Sequence, residues 1–254
     1  MDMPVNAFKR AITSGNKQIG LWSHLCNPIS TEILSRSGFD WLLLDMEHSP
    51  NEVPDILAQL HAMTGGGATP IVRPPWNDMV MIKRLLDVGA QTLLIPYVQT
   101  EAEARQAVSY TRYPPLGVRG FAGSPRASGY GRVKDYAKHS SDEICVLVQI
   151  ETALGLSNLD AICKIDGIDG VFIGPGDLSA AMGHLANPKH PQVLKTIDAS
   201  IAKIRSHGKA AGILTGDEAL ARHYVELGCL FVAVGADQNL LRDSAQALAS
   251  RFKS

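Results

Sequence analysis

The chain has 254 residues, 45% hydrophobic and 19% charged, with a formal net charge of −1. Its length suits one domain with a substantial core, and its near-neutral charge argues against nucleic acid or an anionic membrane surface as a partner. No apolar run approaches the roughly 18 residues of a transmembrane helix, and Met1–Arg10 lacks the apolar centre of a signal peptide, so the cytoplasm is the expected compartment.

Strand and helix candidates alternate along the chain. Gln18–Leu25 precedes a helix over Ser30–Ser37, Trp41–Asp45 precedes Val53–Thr64, and Thr69–Arg73 precedes Met79–Val88. Thr92–Pro96 and Glu101–Tyr110 follow, then Ile144–Glu151 and Ser157–Lys164, then Gly170–Ile173 and Pro191–Ser206. Lys209–Ile213 with Asp217–Glu226 and Leu230–Gly235 with Asn239–Phe252 complete the series. Eight strands and eight helices at this length predict an α/β fold, a single (β/α)8 barrel over residues 1–254, rather than an open doubly wound sheet. Gly38, Gly89, Gly208 and Gly228 each precede a strand, as helix stops do. The irregular stretch Pro114–Lys138 is expected to hang over the C-terminal mouth. Cys26, Cys145, Cys163 and Cys229 form no CxxC pair, and reduced thiols are expected.

Polar residues gather at the C-terminal ends of the strands, where barrel enzymes carry their chemistry. Trp22 and His24 close the first strand, Asp45, Glu47 and His48 follow the second, and Arg73 ends the third. Gln149 and Glu151 end the fifth, and Asp177 follows the sixth. Thr152–Asp169 is long enough for a crossover helix, so the fifth and sixth strands are parallel neighbours about 4.8 Å apart. Glu151 and Asp177 then meet at one edge and repel unless a cation lies between them. Hard oxygen donors without His or Cys favour Mg2+ or Mn2+; capping a helix or pairing with an arginine are the alternatives.

His48 is a general-base candidate whose ring Asp45 is close enough to orient, against a merely solvated loop histidine. Arg73, held by the two prolines after it, suits an oxyanion, or else a salt bridge in the barrel top. Gly174-Pro-Gly-Asp177 offers backbone N–H groups to a carboxylate, and is equally an ordinary strand-to-loop turn. No lysine ends a strand, which excludes a Schiff-base aldolase; Lys209 starts one, at the wrong face.

Leu44-Asp-Met-Glu-His48, Pro70-Ile-Val-Arg-Pro74, Leu147-Val-Gln-Ile-Glu151 and Phe172-Ile-Gly-Pro-Gly-Asp-Leu178 closely resemble the class II pyruvate aldolases of the 2-dehydro-3-deoxyglucarate / 4-hydroxy-2-oxoheptanedioate aldolase family. The similarity extends to Thr111-Arg-Tyr-Pro-Pro-Leu-Gly-Val-Arg-Gly120 and Phe231-Val-Ala-Val-Gly235. Asn27-Pro-Ile-Ser-Thr-Glu-Ile33 and Ala181-Met-Gly-His-Leu185 look most like the dehydrodeoxyglucarate branch.

The resemblance implies that Glu151 and Asp177 bind a divalent metal (Mg2+ or Mn2+, with Co2+ as an alternative), that His48 accepts the proton and that Arg73 stabilises pyruvate enolate. It implies that Gln149 and the backbone of Gly176 and Asp177 contact substrate. Asp87 would make the histidine basic from across a subunit interface, within a homo-hexamer built as a dimer of trimers with the last helix exchanged. Met46 stands where the family usually has Gly, beside the base, and Gly176 replaces a small Ala or Ser, a change expected to alter substrate placement slightly without removing the backbone donor. The implied reaction is reversible cleavage of 4-hydroxy-2-oxo acids to pyruvate and an aldehyde, in the catabolism of aromatic or sugar acids. Trp22, Phe172, Leu214 and the Phe121–Arg132 loop would shape the aldehyde pocket. A CoA-ester lyase, a phosphate-gripping barrel isomerase and a non-catalytic oxo-acid-binding barrel are the competing readings.

Overall fold

The computed structural model describes residues 1–253. Among them, β1 (Gln18–Ser23), β2 (Trp41–Asp45), β3 (Thr69–Arg73), β4 (Thr92–Ile95), β5 (Cys145–Ile150), β6 (Gly170–Ile173), β7 (Ala210–Leu214) and β8 (Phe231–Ala236) pair in parallel, in chain order. β8 closes on β1, giving the (β/α)8 barrel that the alternation predicts. Around it stand α2 (Pro28–Ser35), α3 (Val53–Ala62), α4 (Met79–Asp87), α5 (Glu101–Thr111), α7 (Ala153–Ser157), α8 (Leu159–Cys163), α10 (Pro191–Ser206) and α11 (Glu218–Glu226). The helices α1 (Ala7–Thr13), α6 (Tyr136–Glu143) and α9 (Pro175–Ala181) and the terminal α12 (Asp237–Ser250) complete the set. None of these helices is long and apolar enough to cross a membrane.

Strand alternation sorts the core into two layers. Leu42, Leu44, Val72, Val146 and Val148 face the helices, whereas Trp22, Trp41, Leu43, Ile71, Leu147, Phe172 and Phe231 fill the lumen. Large and small residues interlock there: a Cβ on Gly20 would sink into the Trp41 ring. The same period of two carries the inward set upward to Asp45 on β2 and to Arg73 on β3, which are register partners. It also brings Gln149 on β5 beside Phe172 on β6. Polar groups therefore collect on the lumen axis at the strands' C-terminal ends.

Three features depart from the sequence expectation. α1 precedes the first strand and closes the opposite end of the barrel, with Phe8 edge-on to Trp41 and Phe231 at 6.1 and 5.9 Å. Its signals were local: Asn6 caps it by accepting from Lys9 N, and Phe8 and Ile12 are its i, i+4 apolar pair. α9 begins where Gly174-Pro-Gly read as a turn, because Pro175 occupies the first helical position, which needs no N–H.

The third is the stretch 114–138, which does not overhang the mouth. It follows α5, and the helices of a barrel run back toward the N-terminal ends of the strands, so the link from α5 to β5 lies at the bottom. Arg126 there donates to Val88 O at 2.7 Å and meets His61 Nε2 at 3.0 Å, both at the C-terminal ends of helices. The Phe121–Arg132 segment is thus excluded from the mouth of its own barrel.

Candidate active site

Asp45, wholly buried, organises the mouth. Its Oδ1 accepts from Arg73 Nε at 2.8 Å and from Glu47 N at 3.0 Å, and its Oδ2 accepts from Arg73 Nη2 at 2.7 Å. His24 Nε2 stands 3.1 Å from Oδ2. Burial alone would raise this carboxyl, but the contacts with His24 and Arg73 outweigh it and hold the group well below the usual carboxylate range. The Asp45–Arg73 pair is a bidentate fork in a dry site. Beneath it Trp22 presents its ring face 5.2 Å from the guanidinium carbon.

The third guanidinium nitrogen is turned to other partners. Arg73 Nη1 lies 2.6 Å from Glu47 Oε2 and 3.4 Å from Gln149 Oε1. The Glu47 contact is an ion pair without an aligned hydrogen bond, so Oε2 remains a buried acceptor unsatisfied by direction. Of the two readings of Arg73, the salt bridge in the barrel top is the one seen here, to Asp45, and Nη1 faces Glu47 and Gln149.

Glu151 is buried at the end of β5; its Oε1 accepts from Tyr97 N at 3.0 Å and its Oε2 from Gln149 Nε2 at 2.5 Å. A Cβ on Gly174 would come within 2.5 Å of Oε2, so only glycine lets the β6 backbone lie against this carboxylate. Asp177 stands exposed in the first turn of α9. Burial pushes Glu151 up to about 7, with Glu47 and Asp177 adding repulsion against the Gln149 and Tyr97 hydrogen bonds. Burial likewise pushes Glu47 up to about 7, with Asp45 and Asp177 adding to it and Arg73 opposing. With Asp45, four carboxylates thus crowd one mouth.

A hard divalent cation fits this donor set. The oxygens of Glu151 and Asp177 lack any His or Cys companion, and their mutual repulsion is what a cation between them would relieve. Among the described residues no group of three His, Cys, Asp or Glu is arranged to hold an ion by itself. Two carboxylates leave coordination positions for water and a chelating substrate.

Other expected residues fall differently. Asp45 does not orient His48: the strand's inward turn commits it to Arg73 and His24, while His48 leaves the strand end with its side chain 60% exposed, 3.9 Å from Glu47 Oε2. Asp87 lies at the C-terminal end of α4, away from this mouth, where Arg119 Nη2 donates to it at 2.9 Å. Trp22 and Phe172 are lumen residues, 1% and 2% exposed, with ring centroids 5.4 Å apart; they form the floor beneath Arg73. Leu214, half-buried at the end of β7, packs on that lumen cluster. Met46 belongs to the layer between strands and helices, so its side chain does not intrude on the site. A Cβ on Gly176 would meet open space, so the missing methyl costs the site no support.

Glu47 and His24 are the two mouth residues left without a role by the sequence. The available signal was parity: 45 with 47, and 22 with 24, share a face when extended backbone continues past the strand.

Residues 18–244 match the sequence profile of the family described as HpcH/HpaI aldolase/citrate lyase. The chain is 57% identical over 248 residues to a 4-hydroxy-2-oxo-heptane-1,7-dioate aldolase of Klebsiella pneumoniae, covering 97% of this chain and 94% of the relative. Among solved structures, an HpcH/HpaI aldolase/citrate lyase family protein from Burkholderia cenocepacia superposes with a TM-score of 0.94 at 37% identity, covering 98% of this chain and all of that one. A citrate lyase β subunit from M. tuberculosis, complexed with oxaloacetate and magnesium, shares the fold at a TM-score of 0.57 and 16% identity, over 86% of this chain and 91% of its own.

Proposed function

The chain belongs to the HpcH/HpaI aldolase/citrate lyase family and is a carbon–carbon lyase, and from that premise we propose that it is a divalent-metal-dependent aldolase cleaving 4-hydroxy-2-oxo acids reversibly to pyruvate and an aldehyde. The observation that carries this reading is the convergence, at one barrel mouth, of a fixed guanidinium with the carboxylates of Glu151 and Asp177. The magnesium described for the citrate lyase subunit supports Mg2+, with Mn2+ of similar oxygen preference. A cation held by Glu151 and Asp177 would supply Lewis-acid polarisation of a 2-oxo acid.

The chain's own residues do the rest. The N–H groups of Gly176 and Asp177, in the first turn of α9, have no intrahelical acceptor and suit the substrate carboxylate. Arg73 Nη1 and Gln149 flank the keto oxygen. His48 takes the C4 hydroxyl proton; the C3–C4 bond then breaks, its electron pair forming pyruvate enolate while C4 becomes the aldehyde carbon. In reverse, the same base removes a methyl proton from pyruvate. Trp22, Phe172 and Leu214 give the pocket an apolar floor and rim. The heptanedioate is the first substrate to assay, given the name of the 57% identical relative, with 2-dehydro-3-deoxyglucarate beside it. Pyruvate release from neither, with Mg2+ or Mn2+ present, would contradict the reading.

His48→Ala should lose roughly 10²–10⁴-fold in kcat, the range for a positioned acid–base group, while KM moves less. A variant within a few-fold of the parent in a pyruvate-release assay would assign the proton to another acceptor.

Cation affinity should weaken as pH falls below about 7. Glu151, pushed up to about 7 in the folded metal-free chain, carries a proton at pH 6 that must leave when a cation binds, while Glu47, pushed up to about 7 as well, adds its negative charge to the mouth as pH rises. The sign for stability is the reverse: carboxyls raised above their ordinary values cost the metal-free fold stability as pH rises from about 4.5 through 7. Calorimetric titration with Mn2+ at pH 6 and pH 8 measures the first effect, with tighter binding and less proton release at pH 8.

We further propose the homo-hexamer, with α12 exchanged between subunits and Asp87 reaching a neighbour's mouth. Leu240, Leu241 and Leu248 on α12 are exposed, and Asp237 is its one buried residue, so the helix has an apolar face its own barrel does not cover. Sedimentation should give a mass near six chains; a monomer would contradict it.

A further inference from the structure

We infer that His24 is a positioning residue for the reaction, fixing the Arg73 guanidinium through Asp45. The inference rests on the proposed enolate role of Arg73. Arg73 acts on substrate through Nη1, and the direction of Nη1 is set by the other two nitrogens. Both are tied to Asp45, at 2.8 and 2.7 Å. Asp45 therefore works as a lever: rotation of its carboxylate swings the whole fork.

The lever has a stop at each end. Oδ1 is held by the backbone N–H of Glu47 at 3.0 Å besides Arg73 Nε. Oδ2 has one neighbour besides Arg73 Nη2, and that is His24 Nε2 at 3.1 Å. Without it Oδ2 keeps a single donor, and the carboxylate can pivot about Oδ1 toward the open mouth.

His24 is itself held from behind. Its backbone N–H donates to Asp237 Oδ1 at 2.9 Å, and Asp237 Oδ2 accepts from Ser23 Oγ at 3.0 Å and Leu25 N at 3.2 Å. Asp237, buried at the start of α12, thus clamps the three residues ending at Leu25 against the barrel top. The imidazole is 13% exposed, and its Nδ1 is buried without a hydrogen bond. Burying an unsatisfied ring nitrogen is unfavourable, and folding gains nothing from it at that atom. The compensating contact is the one to Asp45. Trp22, two residues earlier on the same face, supports the guanidinium plane from below at 5.2 Å. The end of β1 therefore supplies both the floor and the side stop of Arg73.

The test is deuterium incorporation into the methyl group of pyruvate in D2O, with Mn2+-loaded protein. This half-reaction needs the enolate and no aldehyde. His24→Phe keeps a ring of similar volume and removes the donor; His24→Gln keeps an N–H at the reach of Nε2. His24→Phe should slow exchange about tenfold, through kcat with KM for pyruvate within about threefold, as expected when the close imidazole contact that restrains the buried Asp45 carboxylate is lost. His24→Gln should recover to within about threefold of the parent. A loss below threefold in His24→Phe, or no recovery in His24→Gln, overturns the inference. Mn2+ titration of each variant checks that the site is folded, and His24→Ala replaces His24→Phe under the same limits if the latter does not fold. Absence of exchange in the parent would instead overturn the aldolase reading.

Discussion

Glu151→Gln should lower turnover by roughly 10³-fold or more while the barrel stays folded. Metal activation of a carbonyl amounts to several kcal/mol of transition-state stabilisation, and each 1.4 kcal/mol is about tenfold in rate. Glu151 is one of two carboxylates available to hold the ion, and replacing its charge with an amide removes half of that anionic set. Stability should change little because two effects oppose. Neutralising Glu151 relieves the repulsion with Glu47 and Asp177 that helps push its carboxyl up to about 7. Against that, Tyr97 N and Gln149 Nε2 donate to different oxygens, and an amide can satisfy only one of them. The thermal midpoint should therefore move by no more than a few degrees. Calorimetry with Mn2+ should show binding lost in this variant. Wild-type turnover after the substitution would remove Glu151 from the chemistry.

Arg73→Ala should slow both cleavage and pyruvate methyl exchange by roughly 10²–10³-fold, mainly in kcat, because a donor aimed at developing charge matters more in the transition state than in the ground state. This variant also leaves the buried Asp45 charge with only Glu47 N and His24 in place of its guanidinium, which costs stability by up to about 3–5 kcal/mol. Arg73→Lys separates the two effects. It restores a positive charge for Asp45, but a single ammonium cannot span both Asp45 oxygens and still present a third donor toward Gln149. It should recover stability while regaining only part of the rate. If Arg73→Ala exchanges methyl protons as fast as the parent and fails only in carbon–carbon cleavage, Arg73 serves the aldehyde side.

The barrel and the composition of its mouth were legible because both follow from local periodicity. Hydrophobic runs ending in Asp45, Arg73 and Glu151 mark strand ends, and the period of two decides which of those side chains point inward. What periodicity does not carry is who pairs with whom. Asp45 reads as a partner for His48, three residues away, yet register sets it opposite Arg73, twenty-eight residues on, and the closing of β1 brings in His24. The segment 114–138 was misplaced for a different reason: its composition suits an active-site loop, but its position after α5 sends it to the bottom of the barrel. Met46 stands where the family usually has Gly, and the parity that turns Asp45 inward turns Met46 outward into the layer of helices. Asp87, which the resemblance assigns to a neighbouring subunit's histidine, pairs within its own chain with Arg119 at the bottom of the barrel.

The most direct measurement is proton NMR of pyruvate in D2O with the purified protein, first stripped with EDTA and then given Mg2+ or Mn2+ back. The methyl signal should persist in the stripped sample and decay once the cation is restored, with Glu151→Gln silent throughout. Methyl exchange that continues undiminished after exhaustive chelation would contradict a metal-held enolate at this mouth.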